Sequence, residues 1–327
     1  MRFLSSAIIL ILALPVAALA QSVASTNPFD ISVNPQYPTP NSTATISFTS
    51  NSLDLANATV TVTANGTRLY QGAVEPVPIT LGRAGSATNI SATVVSEGES
   101  YTQQITIQPE DVVLVVEPIS SAPPLYPGKS LVPLEGSSRI VAMANLETAS
   151  GKTLDPSTLS YAWTVDDAQI GDSSGIGKDS IIVASPMQYR RRTVSVVVMS
   201  TDGALVGSAG LSLIPQQPTV RIYENDSLLG IEYNRALAGS YALPGAEESL
   251  YAGTFSFPTA TGAPSVRWFL NGAAAQTGDS ITLRPTGSGQ GAASLSLTAS
   301  AGTFTTATQA LTVMFGQTSR GFNLFGL

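Results

Sequence analysis

The 327 residues carry 22 acidic against 15 basic side chains, a net charge of −7, and neither histidine nor cysteine. Those absences remove disulfides, thiolate chemistry, Cys-based metal sites and the commonest general base and proton shuttle. With 11% charged residues and three lysines, the chain offers no clustered cationic face for a phosphate backbone, which argues against a nucleic-acid partner.

The chain opens with Met1-Arg2, an apolar run over 7–20, and small residues at Ala18 and Ala20. This reads as a secretory signal peptide over 1–20, cleaved before Gln21. The expectation is a secreted, cell-surface or periplasmic protein with no transmembrane segment in the mature chain. A β-protein without cysteine, exported through such a leader, points to a bacterial or archaeal source.

Residues 21–109 predict a first Ig-like domain. Ala44, Ile46 and Phe48 alternate with polar neighbours, as do Val60, Val62 and Ala64, the pattern of half-buried strands. Asn65-Gly66 is a strong hairpin signal, because both residues tolerate positive φ. Two further strands, over 89–95 and 101–107, complete this domain.

Pro109 marks the first boundary, and residues 110–215 predict a second domain. The apolar run 112–116 opens it, followed by a proline-rich stretch, 118–133, expected to be an ordered surface loop. A strand over 139–143 precedes the unit Leu159-Ser-Tyr-Ala-Trp163, a Gly-rich loop, and Asp179-Ser-Ile-Ile-Val183. A Val-rich strand over 193–200 and another over 205–214 close the domain. After Pro215, residues 216–315 predict a third domain with a second copy of that unit: Ser265-Val-Arg-Trp268, an Asn-Gly turn, and Asp279-Ser-Ile-Thr-Leu283. A unit recurring about every 100 residues indicates tandem domains of that size. Residues 224–237 fit no strand spacing and either pack back over the third domain or meet a partner. Residues 316–327 form a C-terminal tail.

Tyr161-Ala-Trp163-Thr-Val, the later Tyr189, and the Val-rich strand ending at Asp202-Gly203 resemble bacterial PKD and Ig-like modules. Thr164-Val-Asp-Asp departs from the Gly-Asp-Gly turn of PKD modules. The resemblance implies an all-β chain of three tandem, antiparallel Ig/PKD-like sandwiches, secreted or surface-attached, that spaces or presents something.

Trp163 and Trp268 read as core pins, since a strand-borne indole between sheets buries a large apolar area. Gly171-Asp-Ser-Ser-Gly175 matches G-x-S-x-G, but no histidine exists to take a serine proton. Adjacent carboxylates such as Glu247/Glu248 point to opposite faces of a strand and build no acid–base pair. Asp166, Asp167, Asp172 and Asp179 lie in one loop region and are the best local calcium candidates, against a solvated turn.

No cofactor and no catalytic residue is assigned. Tyr189-Arg190-Arg191-Arg192 is the one basic run and a candidate contact for an acidic partner or polymer. Phe322 and Phe325 could dock the tail into a partner as an added strand. The function expected is a non-enzymatic structural or adhesion array, its partner an extracellular protein or polysaccharide. The alternative is a carbohydrate-binding set using exposed aromatics such as Tyr189, Tyr223 and Tyr233.

Overall fold

A computed structural model describes residues 27–286, 289–302 and 305–316. The signal-peptide reading over 1–20 and the candidates Phe322 and Phe325 lie outside the described residues. Among the described residues there is no α-helix, only strands and three short 3-10 turns. Among those residues, no helix is long and apolar enough to cross a membrane.

The first seven strands are β1 (Asp30–Asn34), β2 (Thr43–Thr49), β3 (Thr59–Ala64), β4 (Thr67–Ala73), β5 (Val77–Thr80), β6 (Thr88–Ser96) and β7 (Glu99–Ile107). They form a three-stranded sheet, β1-β2-β5, and a four-stranded sheet, β4-β3-β6-β7. The chain divides into two compact units. Of the described residues, one holds those up to 32 with 47–77 and 90–105, and the other holds 33–46, 78–89 and those from 106 onward. In the first unit the alternation of β3 buries Val60 and Val62, and the register pairs Val62 with Ala92 of β6. In the second unit, Ala44, Ile46, Ile79 and Leu81 are buried.

The remaining strands belong to the second unit. β8 (Asp111–Pro118), β9 (Ser137–Asn145), β10 (Ser160–Val165), β11 (Ala168–Gln169), β12 (Gly175–Ile176), β13 (Ser180–Ala184), β14 (Arg192–Met199) and β15 (Val206–Leu213) come first. They make one sheet ordered β13-β9-β8, and a facing sheet ordered β11-β10-β14-β15 with β12 also on β10. One core joins the two faces. Ile140, Ala142, Ile181 and Val183 meet Tyr161, Trp163, Val194, Val196 and Val198. The Val-rich stretch therefore buries alternate valines, as a period of two requires.

Next come β16 (Thr219–Asp226), β17 (Gly230–Ile231), β18 (Gly239–Ala242), β19 (Glu248–Phe255), β20 (Ser265–Leu270), β21 (Ala273–Thr277), β22 (Ser280–Leu283), β23 (Gly291–Ala301) and β24 (Thr305–Phe315). Their sheets are ordered β17-β16-β19-β22 and β18-β24-β23-β20-β21, around a core that includes Ile222, Leu250, Phe257, Trp268, Leu297 and Val313. The fold is all-β, with Ig-like sandwiches in tandem.

One feature departs from the antiparallel expectation: β18 pairs β24 in parallel, Gly239 opposite Leu311. The aperiodic stretch 224–237 is the cause. The chain doubles back through β17, the Leu237 N–H reaches the Ile222 carbonyl at 2.8 Å, and it then crosses to the facing sheet. It arrives there alongside β24 and in the same direction. This stretch thus packs back over its own sandwich. The turn at its tip leaves Leu228 92% and Leu229 80% exposed.

Candidate functional sites

The repeated tryptophan unit is an inter-sheet latch. Both indoles are fully buried. The Trp163 Nε1–H donates to the Lys178 carbonyl at 2.8 Å, and the Trp268 Nε1–H donates to the Gly278 carbonyl at 3.0 Å. Each acceptor immediately precedes the Asp-Ser-Ile strand of the opposite sheet. The next carbonyl, of Asp179 or Asp279, accepts from the Ala142 or Ala252 N–H. A buried indole needs a partner for its one donor, and in both copies that partner is the strand arriving from across the core.

The hairpin after each copy is also shared. Asn65-Gly66 (φ 48 and 80°), Asp166-Asp167 (48 and 65°) and Asn271-Gly272 (51 and 81°) all hold two successive positive φ values. Two-residue hairpins require this to match strand twist. The first side chain of the turn then ties down a neighbouring strand. Asp166 accepts from the Thr193 N–H at 2.9 Å, as Asn271 accepts from the Ser294 N–H at 2.9 Å. Asp166 also pairs with Arg192 at 2.9 Å. Asp167 is an exposed turn residue, and Asp172 sits in a 3-10 turn whose carbonyl accepts from Lys178 Nζ. Among the described residues, no group of three acidic side chains is placed to hold a metal ion. In the G-x-S-x-G stretch, the Ser174 hydroxyl accepts from the Trp163 N–H and donates to the Ile170 carbonyl, fastening the loop under β10.

A feature the sequence reading missed joins the proline-rich segment to the sandwich built from β16–β24. The ring of Tyr126 meets Tyr233 edge-on at 5.5 Å and Phe255 at 5.0 Å, while Tyr233 contacts Tyr223 at 5.2 Å and Tyr251 at 6.5 Å. The Tyr233 hydroxyl donates to the Pro124 carbonyl at 2.7 Å. Backbone bonds flank the cluster: Ser121 N–H to Phe257, Ser256 N–H to Ser121, and Gln216 N–H to Val132. Farther along, the Thr305 hydroxyl donates to Glu135 at 2.8 Å. Expecting Tyr223 and Tyr233 to be exposed is therefore incorrect. Tyr223 is buried and Tyr233 half-buried, because both rings are spent on this cluster. Burial raises the Tyr251 phenol to about 12, and neighbouring Tyr233 adds to that. A groove of about 610 Å³ runs beside the cluster, lined by Pro123, Pro124, Tyr251, Thr254, Pro264 and Asp279.

The exposed turn 187–191, which carries the chain from β13 to β14 in the facing sheet, is different in kind. Tyr189 is 94% exposed, the one exposed aromatic among the described residues, and its backbone is left-handed at φ 61°. Arg190 and Arg191 are exposed, whereas Arg192 is held by Asp166. A cavity of about 220 Å³ lies between this turn and residues 214–217.

Among the described residues, Glu110 is the buried acid. Its Oε2 accepts from the Glu147 N–H at 2.8 Å, and its Oε1 has no hydrogen-bond partner among the described residues. Burial, with Glu147 adding to it and the Glu147 N–H opposing it, pushes the carboxyl up to about 7. Gly85 closes this junction with its N–H on the Pro109 carbonyl at 3.0 Å, and a Cβ there would collide with the carbonyls of Glu147 and Thr148. Arg83 pairs with Glu147 at 3.3 Å.

No protein family model and no curated protein matches the chain. Among solved structures, the chain is similar to the fibronectin(III)-like modules of Clostridium thermocellum CbhA. The identity there is 18%, over 57% of this chain and 95% of that one, with a TM-score of 0.25. It is also similar to Sidekick-1 immunoglobulin domains 1–5, at 12% identity over 85% and 56% of the two chains, TM-score 0.30. A third is the Bacteroides ovatus glucan-utilization protein SGBP-B in complex with a mixed-linkage heptasaccharide. It is 14% identical over 85% and 65%, TM-score 0.22. The fold assignment rests on the strands and cores described above.

Proposed function

We propose that the chain is a non-enzymatic extracellular or cell-surface array of three Ig-like sandwiches, spanning 21–109, 110–215 and 216–315, that spaces or presents binding surfaces. The observation that carries this is the Tyr126–Tyr233 cluster. A loop of one sandwich is bonded through rings and backbone to the next, so the second and third behave as one stiff body. Successive domains normally move against each other unless their interface is sizeable and apolar, and a spacer gains from suppressing that motion. The test is cross-linking on intact producing cells, followed by identification of what is held and sequencing of the N-terminus. An extracellular partner and a start at Gln21 support the reading. Recovery from the cytoplasm alone, with Met1 intact, contradicts it.

A second reading, carbohydrate binding through exposed aromatics, is favoured by one residue, Tyr189. A ring held open to solvent on a left-handed backbone is a costly arrangement for a bulky side chain.

A further inference from the structure

We propose that the turn 187–191 and the facing segment 214–217 form a binding site for a carboxylated sugar unit of an anionic polysaccharide. The assignment rests on the carbohydrate reading above and names its chemical class.

Charge selects an anion. The cavity of about 220 Å³ is lined by Gln188, Tyr189, Arg190, Arg191, Ile214 and Gln217, with Leu134 and Pro215 behind them and no carboxylate among them. Arg192, the third member of the basic run, is neutralised by Asp166, while Arg190 and Arg191 have no salt-bridge partner among the described residues. In a chain of net charge −7, two adjacent unpaired guanidinium groups on the wall of a cavity form a local reversal of the field. A guanidinium fork matches a carboxylate with two parallel hydrogen bonds.

Geometry selects a sugar over an acidic peptide. Residues 185–191 form no strand, and their turn closes with the Arg190 N–H on the Met187 carbonyl at 3.0 Å. It therefore offers side-chain forks rather than the open backbone ladder that strand-adding peptides use. Tyr189 lines the same cavity as Arg190 and Arg191 with its side chain exposed, whereas Tyr126, Tyr223 and Tyr233 are spent on one another. The two glutamine amides supply both donors and acceptors, the pairing that ring hydroxyls need. A few convergent polar groups around an apolar platform is the general form of a small-ligand site. Tyr189 carries its exposed ring on a left-handed backbone, a conformation uncommon for a bulky residue.

The test is calorimetric titration of the full chain, in EDTA, with tetragalacturonate, with the neutral cellotetraose, and with tetraglutamate. The expected result is saturable binding of tetragalacturonate that weakens with added salt, exceeding binding of the other two probes by about tenfold or more. The double substitution Arg190→Ala/Arg191→Ala should weaken it at least about tenfold, the loss corresponding to one charge-assisted pair. Tyr189→Ala should weaken tetragalacturonate several-fold and leave any tetraglutamate signal unchanged. All three side chains are exposed, so unchanged thermal unfolding confirms that the variants fold. No tetragalacturonate binding up to about 10 mM, or binding indifferent to the arginine substitutions, overturns the proposal. Tetraglutamate bound as tightly overturns it in favour of an acidic peptide. Cellotetraose bound as tightly, and lost in Tyr189→Ala, overturns the anionic assignment while the broader carbohydrate reading stands. Silence of both sugars removes both.

Discussion

Replacing Tyr126 and Tyr233 by alanine, singly and together, measures how firmly the proline-rich segment belongs to the sandwich it touches. Tyr233 makes three ring contacts and one hydrogen bond, to Tyr126, Tyr223, Tyr251 and the Pro124 carbonyl. Its removal should cost about 3–4 kcal/mol, the range for truncating a packed aromatic. Tyr126 has two ring contacts and is half-exposed, so about 2 kcal/mol is expected. Their mutual contact, edge-on at 5.5 Å, is worth about 1 kcal/mol beyond burial. The double variant should therefore lose about 1 kcal/mol less than the sum of the single losses. Hydrogen exchange in increasing urea, read on peptides covering β16 and β19, isolates this sandwich from the rest. Additivity within about 0.3–0.5 kcal/mol would refute the reasoning, because the loop would then be lying on the sandwich without bonding to it.

Two further outcomes follow from other parts of the chain. Trp163→Phe and Trp268→Phe each take the donor from the Lys178 or Gly278 carbonyl and leave part of a fully buried indole's volume unfilled. A loss of about 2 kcal/mol or more is expected in each sandwich by urea denaturation, and a loss below about 0.5 kcal/mol would show the latch to be ornamental. Glu110 titrates near 7 when folded against 4.5 as a free side chain. Between those values the folded state keeps a proton that the unfolded state releases, so stability falls as pH rises from about 4.5 to 7. The fall is on the order of 2–3 kcal/mol. Glu110→Gln keeps the acceptor for the Glu147 N–H and should flatten that slope. An unchanged slope in the variant would place the titration elsewhere, with Glu248, also raised by burial, the next group to test.

Much of the sandwich architecture was legible because it is written in local signals. Alternation marks β2 and β3, a Val-rich run marks β14, and Asn65-Gly66 and Asn271-Gly272 mark hairpins that only residues tolerant of positive φ can form. Asp166-Asp167 forms the same turn, yet its carboxylates invited a calcium reading, since side-chain chemistry alone does not separate a turn residue from a ligand. The parallel β18–β24 pair was invisible, because β18 is short and is placed by a sheet crossing rather than by its own pattern. The aromatic cluster was equally hidden. Tyr126 sits in an aperiodic, proline-rich stretch and Tyr233 in another, and nothing local in either announces a partner so distant in sequence. Tyr189 and its arginines were visible as a basic run. What the sequence could not separate was Arg192, taken by Asp166, from Arg190 and Arg191, which are not.

The stiff junction is the claim on which the spacer reading stands, and the absence of native cysteine makes it directly measurable. Gln169→Cys on β11 and Ala275→Cys on β21 are both exposed strand positions, one in each sandwich. Spin labels at the two sites, read by double electron–electron resonance, should give a single narrow distance distribution that broadens when Tyr233→Ala is added. A broad distribution in the otherwise unaltered chain, or one indifferent to Tyr233→Ala, would contradict the account.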